Sequence, residues 1–253
     1  MRYFLISGHR KGRGIHSPSV FSFVSEAIFN QRNWSPTEAL VSAHRSILKN
    51  RSQLAIDDFG AGSQVNSSEV RRVNSMVRWS SVNRKTGRLL YRISRWYKPA
   101  TIIELGTGLG ISTSYLAEGS PEAEVISIEG SEKKSIFARE YINKLGIHNT
   151  NILTGKFDEI LPGLLKRGSE RVLIFLDGNH RFEPTMEYLN QILKWESKEV
   201  MIVMDDIHWS EGMEIAWARI RARNEIRVSL DLFFTGVLFL REDLGKEHFD
   251  IRF

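Results

Sequence analysis

The stretch that decides the fold is TIIELGTGLGIST, residues 101–113. Its apolar, β-branched start predicts a buried strand that ends at Glu104-Leu105, and a helix begins near Ser112. Between them lie three alternate glycines, which let the backbone turn sharply and let a ligand approach the main chain: Gly106, Gly108 and Gly110. Ligands of open α/β sheets bind at the carboxyl ends of strands, so this stretch predicts a binding loop.

After residue 100, short β-rich runs alternate with helical patterns. The runs are TIIEL, VISIE, RVLIFLD and VMIVMDD, and a helical segment follows each of them. This alternation predicts a parallel sheet with helices on both faces. Near the end, VSLDLFF and VLFLRE flank a Thr235-Gly236 turn, which is typical of an antiparallel hairpin.

The residues before this alternation form a less regular region. Residues 17–50 have helical patterns, with Ser17 and Pro18 as the cap and first turn, and GAGSQVNSS at 60–68 is typical of a flexible connection. A segment of this kind could cover a binding site, and an ordinary capped helix is the alternative. The candidates for covering residues are His16, Ser17 and Phe21.

Composition narrows the class of protein. The 253 residues are 42% hydrophobic, which is enough for a substantial core, and they include no cysteine for a disulfide or a thiolate metal site. The first residues place basic side chains after a short apolar run, the reverse of a signal peptide, and no stretch approaches the roughly eighteen apolar residues of a membrane span. These features predict a cytoplasmic protein without a membrane span.

The net charge of +5 is unevenly distributed. Nine Lys or Arg residues and no acid lie between Arg71 and Lys98. Such a run usually forms solvated helix faces, and a strip for an anionic partner is the alternative. A modest basic excess permits nucleic acid, an anionic surface or an anionic small substrate, and selects none of them.

The glycine spacing bears on the type of ligand. G-x-G-x-G departs from the dinucleotide fingerprint G-x-G-x-x-G, because Ile111 stands where the third glycine is expected. Glu104 would be unfavourable beside a pyrophosphate and suits a cationic group. Glu129 ends the next strand, where an acid can accept both hydroxyls of a ribose. Together these features favour S-adenosylmethionine over a nicotinamide cofactor, although a plain tight turn and a surface acid remain alternatives.

Two later segments, LDGNHRFEP and MDDIHWS, end strands with acids and histidines. The carboxyl ends of parallel strands meet at one edge, so we expect these side chains to converge: Asp177, His180, Asp205, Asp206 and His208. Carboxylates can hold magnesium, which would acidify a substrate hydroxyl. Alternatively, one of the histidines takes the hydroxyl proton. In the plainest interpretation, Asp177 contacts the cofactor, Asp206 caps a helix and His208 packs beside Trp209.

Residues 101–118 and 125–130 resemble the first two motifs of class I S-adenosylmethionine-dependent methyltransferases. The resemblance covers residues 100–253. It implies an α/β fold, a Rossmann-like, doubly wound sheet of seven strands of which the last is antiparallel. Residues 86–253 would then be the methyltransferase domain, preceded by an N-terminal helical lid or substrate segment over 1–85.

The resemblance also implies which residues bind the cofactor. Glu104 would lie near the methionine amino group, the glycine loop along the methionine part, and Glu129 on the ribose. Lys156 stands where many relatives have an acid near the adenine, so Phe157 could pack on that ring instead. The cofactor-binding candidates are Glu104, Gly106, Gly108, Gly110, Ser112, Glu129, Phe157 and Asp177.

The two strand-end segments are similar to the catechol O-methyltransferase-like branch, in which an Asp and an Asp-Asn pair bind magnesium. Asp177 and Asp205 match by position, and Asp206 replaces the Asn, as in a sugar and macrolide O-methyltransferase group with an Asp-Asp pair. The implied metal ligands are Asp177, Asp205 and Asp206. The catalytic candidates are Asp177, His180 and His208.

The sequence thus predicts a cytoplasmic transferase, a methyltransferase that uses S-adenosyl-L-methionine on a small hydroxylated acceptor, with Mg²⁺ as a candidate cofactor. An RNA methyltransferase and a non-catalytic binding protein on the same fold are the alternatives. No separate RNA module is visible, and the Asn-Pro-Pro-aromatic motif of base methylation is absent. The N-terminal helices could pair two copies into a homodimer.

Overall fold

A computed structural model of the chain describes residues 14–30, 34–56, 69–167, 171–195 and 199–253. The strands are β1 (Gln53–Ile56), β2 (Glu69–Arg72), β3 (Thr101–Leu105), β4 (Glu124–Glu129), β5 (Thr150–Thr154), β6 (Arg171–Leu176), β7 (Glu199–Met204), β8 (Val228–Asp231), β9 (Gly236–Phe239) and β10 (Glu247–Asp250). The helices are α1 (Pro18–Ser22), which continues as a π-helix over Phe23–Phe29, α2 (Glu38–Ile47), α3 (Val73–Ser80), α4 (Arg84–Tyr97), α5 (Ile111–Gly119), α6 (Glu132–Lys144), α7 (Phe157–Leu164), α8 (Phe182–Leu193) and α9 (Glu211–Ala222).

The large sheet has eight strands in the order β10-β8-β9-β7-β6-β3-β4-β5. Strands β3 to β7 pair in parallel, and β9 runs antiparallel to both β7 and β8. The predicted parallel sheet, its single antiparallel strand and the hairpin at Thr235-Gly236 are therefore confirmed. The seven-strand count was one short, because β10 adds an edge strand parallel to β8. Only Phe249 of this strand is buried, so it lacks an apolar run like those of β3, β4, β6 and β7.

Helices cover both faces of the sheet, as the alternation of elements predicted. Successive residues of β3 point to opposite faces: Ile102 packs with α4, α5 and α6, whereas Ile103 and Leu105 pack with α7, α8 and α9. The chain leaves β3 for β4 and β5 on one side and then returns to β6 and β7 on the other. The carboxyl ends of β3 and β6 therefore flank the point where the strand order reverses, which is where open α/β sheets bind ligands.

The N-terminal helices share the core of the sheet. Phe23, at the start of the π-helix, is fully buried with its ring centroid 5.1 Å from the rings of Trp96 on α4 and Phe239 on β9. The division into residues 1–85 and 86–253 stays a prediction, and it falls in the first turn of α4. The predicted connection at 60–68 lies outside the described residues. No helix among those described is long and apolar enough to cross a membrane.

Candidate active site

A cavity of about 650 Å³ opens at the carboxyl edge of the sheet. The segments that follow β3, β4, β5, β6 and β7 form its walls, together with residues 76–86 from α3 and the start of α4. This size and position are typical of a site for a small molecule. Of the cofactor-binding candidates, six line this cavity: Gly106, Gly108, Ser112, Glu129, Phe157 and Asp177.

The glycine loop is shaped by its positive φ angles. Gly106 has φ +110°, and a Cβ there would lie 2.4 Å from the carbonyl oxygen of Asp177, so the loops after β3 and β6 pack too closely for any side chain. Gly108 has φ +54°, and its Cβ position faces open space. Gly110 caps α5 with φ +83° and packs on Ala138 of α6 instead of lining the cavity. A ligand can therefore approach the main chain at Gly108.

Glu104 lies behind the loop, fully buried and outside the cavity lining. Its Oε2 accepts hydrogen bonds from the hydroxyls of Thr113 and Ser127, so it ties β3 to β4 and to α5. Burial raises the pKa of Glu104, and the hydroxyl donors oppose that rise. Its Oε1 has no hydrogen-bond partner among the described residues. A buried acceptor without a donor fits a cationic group bound at the loop above it.

Glu129 lines the cavity at the end of β4. Its Oε2 accepts from the N–H of Gly108 at 2.8 Å, and its Oε1 accepts from the N–H of Ser131 at 3.0 Å. Lys134 Nζ is 3.8 Å from Oε1. Two backbone donors thus hold the carboxylate against the cavity wall, and an ionised carboxylate has further lone pairs with which to accept hydrogen bonds from ribose hydroxyls.

The strand-end acids surround His180 in the loops after β6 and β7. His180 Nε2 lies 3.6 Å from Asp177 Oδ1 and 3.9 Å from Asp206 Oδ2. Asp205 lies beside them, and its Oδ1 accepts a hydrogen bond from the hydroxyl of Thr235 at 3.2 Å. The predicted convergence of Asp177, His180, Asp205 and Asp206 therefore occurs in one cavity wall.

These groups perturb one another's ionisation. Burial, and then the charge of Asp205, raise the pKa of Asp177 well above its ordinary value. Burial, and then the charge of Asp206, raise the pKa of Asp205 to about 7. Burial lowers the pKa of His180, against the effect of Asp206. The cluster is thus a half-buried group of carboxyls around one imidazole, an arrangement that can accept a proton.

The donor oxygens of the cluster suit a hard cation, but their arrangement does not form a complete site. Within the described ranges, no three His, Asp or Glu side chains come together as ligands for one metal ion. The magnesium site at Asp177, Asp205 and Asp206 stays a prediction.

His208 lies outside the cavity lining. Its Nε2 is 2.8 Å from Asp231 Oδ2, and its ring stacks on Phe233 with centroids 5.5 Å apart. Asp231 is buried and also accepts hydrogen bonds from Trp217 Nε1 at 2.8 Å and from the N–H of Phe233 at 2.9 Å. His208 therefore joins the loop after β7 to the hairpin of β8 and β9.

The structure adds residues to the cavity that the sequence did not single out. Trp79 on α3, Trp209 after β7 and Phe234 in the hairpin line it with 80%, 70% and 58% of their surfaces exposed. Arg78 lies beside Trp79 in the same lining. The lid candidates His16, Ser17 and Phe21 do not line it. A tryptophan within a basic helix was the only available signal, because sequence does not show which face of a short helix meets a cavity.

Known proteins resemble this chain in both sequence and fold. Residues 103–207 match the family model of a methyltransferase domain. A catechol O-methyltransferase of Niastella koreensis is 30% identical over 130 residues, which are 50% of this chain and 58% of the relative. A catechol O-methyltransferase of Mycobacterium tuberculosis is 25% identical over 129 residues, which are 50% of this chain and 57% of that relative. The chain thus spans less than two thirds of the length of either.

Among solved structures, a methyltransferase of Podospora anserina bound to S-adenosylhomocysteine superposes with a TM-score of 0.64 at 18% identity. The superposition covers 85% of this chain and 92% of that one. At this level of identity the likeness concerns the fold, and it extends beyond residues 103–207 to most of the chain.

Proposed function

We propose that this chain transfers a methyl group from S-adenosylmethionine to a hydroxyl oxygen of a small acceptor. Its residues 103–207 match a methyltransferase domain, and its fold is the Rossmann-like fold of class I methyltransferases. One observation carries the proposal: the open glycine loop, Glu129 and the His180 cluster line a single cavity. The relatives named catechol O-methyltransferase support a hydroxyl acceptor.

In this proposal the cofactor lies across the glycine loop. The methionine part would pass Gly106 and Gly108, where no side chain intervenes, and the ribose hydroxyls would donate to Glu129. The adenine would pack near Phe157, whose ring is 5.7 Å from that of Tyr188 in an edge-to-face arrangement. Glu104 acts from behind the loop, where its free oxygen favours a cationic group.

The proposed chemistry needs alignment and one proton acceptor. S-adenosylmethionine, when bound, supplies a methyl group on a positively charged sulfur. His180 would hold the acceptor hydroxyl at Nε2 and take its proton as the oxygen forms its bond to the methyl carbon. The carbon–sulfur bond would break in the same step, and its electron pair would stay on the sulfur as a neutral thioether. Asp177 and Asp206 flank that nitrogen at 3.6 and 3.9 Å, so they would stabilise the imidazolium that forms. The exposed rings of Trp79, Trp209 and Phe234 would enclose a flat acceptor at the mouth of the cavity.

Magnesium at Asp177, Asp205 and Asp206 is a second candidate for activating the hydroxyl. The chemistry of three carboxylates supports it, whereas their present arrangement does not. The rate of methyl transfer to catechol, measured with EDTA and with added Mg²⁺, distinguishes magnesium activation from proton transfer to His180. Proton transfer to His180 needs no metal, so chelation should leave its rate unchanged.

The experiment that tests the donor site is a calorimetric titration with S-adenosylhomocysteine. Glu129→Ala should weaken binding by at least about tenfold, because each hydrogen bond to a charged acceptor contributes about 1.5–3 kcal/mol. Glu124→Ala is the matched control, since Glu124 is an exposed acid at the opposite end of the same strand. Saturable binding to the wild-type chain with equal affinity in both variants would contradict the ribose assignment. If the wild-type chain does not bind S-adenosylhomocysteine, the proposal that S-adenosylmethionine is the methyl donor is wrong.

A further inference from the structure

A second cavity, of about 410 Å³, lies beside the N-terminal half of α4. Every described residue that lines it carries a positive charge. The helix positions 84, 88 and 92 are four residues apart and therefore share one face of α4. The lining residues are Arg45, Arg84, Lys85, Arg88 and Arg92.

Arg92 is the buried member of this group. Its Nε donates to the carbonyl oxygen of Ala27 at 2.7 Å, and its Nη2 donates to that of Ile28 at 3.3 Å. Both carbonyls belong to the last turn of the π-helix, which the guanidinium therefore caps. A guanidinium has five N–H donors, so these two bonds leave others for a ligand in the cavity.

The other four cations are exposed and only partly compensated. Arg45 pairs with Glu38 at 3.3 Å, and Lys85 Nζ lies 4.1 Å from the centroid of the Phe253 ring. Within the part of the chain that the structure describes, Arg84 and Arg88 have no ion pair. The cavity thus concentrates more positive charge than its neighbours neutralise.

The ionisation of these groups is consistent with mutual repulsion. Burial, and then the charge of Arg88, lower the pKa of Arg92 to about 10. Burial, and then the charge of Arg92, lower the pKa of Lys85. Beneath the cavity, burial and the charge of Arg84 lower the pKa of His44 to about 4. An anion bound among these side chains would relieve the repulsion.

We propose that this second cavity binds a small polyanion of the polyphosphate or phosphorylated-metabolite class, at a site separate from the candidate active site. The guanidinium fork matches the oxygens of a phosphate group, which it can bind through two parallel hydrogen bonds. The five cations therefore favour a ligand with clustered phosphate charge over a single carboxylate.

Neighbouring residues at the start of α4 line the two cavities. Asn83 and Thr86 line the candidate active site, whereas Arg84, Lys85 and Arg88 line the polyanion cavity. Arg78 of the same basic run also belongs to the first cavity, so the run is divided between two sites. This division favours a compact anion over a long nucleic-acid backbone, which would need a continuous basic track.

The test is a calorimetric titration of the full chain with sodium tripolyphosphate at constant ionic strength. We expect saturable binding of one ligand per chain and at least about tenfold weaker binding in Arg84→Gln/Arg88→Gln, whose loss of two cations removes phosphate contacts. The control Lys49→Gln/Lys166→Gln loses the same charge from exposed sites outside the cavity and should bind as the wild-type chain does. Circular dichroism melts check that each variant is folded, and the two single variants replace the double variant if it is not.

Parallel titrations with a nucleoside triphosphate and with inorganic phosphate show whether the nucleoside or the phosphate cluster supplies the affinity. Binding of tripolyphosphate that both double variants lose equally would overturn the proposal, as would no saturable binding. Tight binding of a twelve-nucleotide RNA without any binding of tripolyphosphate would overturn it in favour of a nucleic-acid surface. None of these outcomes depends on S-adenosylhomocysteine, so the proposal and the methyltransferase function can fail separately.

Discussion

His180 is the residue on which the proposed proton transfer depends. Carboxylate oxygens of Asp177 and Asp206 lie within 4 Å of its Nε2, and His180 lines the cavity. We expect His180→Asn to lower kcat by about 10²–10⁴-fold, the usual contribution of a general base. The affinity for S-adenosylhomocysteine should stay within about twofold, because His180 is not among the residues proposed to bind the donor. Transfer of a labelled methyl group to a panel of hydroxylated acceptors headed by catechol measures the first quantity.

His148→Asn is the matched control for that change, since His148 is exposed and lies outside the cavity. Full turnover in His180→Asn would mean that the hydroxyl proton leaves by another route. A rise in KM with kcat unchanged would make His180 a binding residue.

The same residues show how far sequence reasoning extends at this scale. Gly106, Gly108 and Glu129 could be placed in the cavity from sequence, because a strand end and a glycine loop fix where the next side chains lie. His208 could not, because its orientation depends on Asp231, which is two strands away in the sheet order. Trp79 belongs to a short helix whose cavity-facing side depends on tertiary packing.

At the scale of elements, the contact of His208 with Asp231 fastens the loop after β7 to β8. The hydrogen bond that His208 donates to Asp231 raises the pKa of His208 above its ordinary 6.5. Burial alone would raise the pKa of Asp231, but the hydrogen bonds from His208 and from the N–H of Phe233 outweigh it and leave that pKa lowered. The imidazolium form of His208 and the carboxylate form of Asp231 thus stabilise each other. The contact holds the neighbouring Trp209 and Phe234 near their places in the cavity lining.

This pair gives a pH-dependent contribution to stability. Because the pKa of His208 is raised on folding, its contribution is complete below the unfolded value of about 6.5 and is lost as the pH rises through the folded value. We expect His208→Gln to lower the free energy of unfolding by about 1–3 kcal/mol at pH 5.5, and by clearly less at pH 9. Urea unfolding at both values measures the difference. An equal loss of unfolding free energy at the two pH values would mean that His208 stabilises the fold by packing on Phe233 and not by its charge.

The elements themselves were largely predictable. Strands β3, β4, β6 and β7 each have a dense apolar run, because they are buried on both faces, and each was recognised from that run. The parallel edge strand β5 has one buried residue, Ile152, and gave no such run. Two kinds of element were missed. Strand β10 is an edge strand with one buried residue, and the β1–β2 pair flanks a segment that gave only turn signals. Edge pairings depend on neighbours distant in sequence, which local patterns do not encode.

At the scale of the whole molecule, the structure bears on whether residues before α4 form a separate lid. The π-helix contributes Phe23, Val24, Ala27 and Ile28 to the same hydrophobic cluster that holds β9 and the inner face of α4. Arg92 adds hydrogen bonds between α4 and the end of that π-helix. Elements that share one core unfold together, so we expect one cooperative transition for the chain.

A substitution of Phe23 tests this expectation, because its buried ring packs against both Trp96 and Phe239, with ring centroids 5.1 Å apart in each pair. Phe23→Ala should lower the free energy of unfolding by about 3–5 kcal/mol, the cost of a large cavity in a core. Phe21→Ala, at a ring that is 47% exposed, should change it by less than about 0.5 kcal/mol. Urea unfolding followed by both tryptophan fluorescence and circular dichroism should give coincident curves for each variant. An early, separate transition in Phe23→Ala that leaves the main one unmoved would instead establish the N-terminal segment as an independent lid, because only a segment with its own stability can unfold ahead of the sheet.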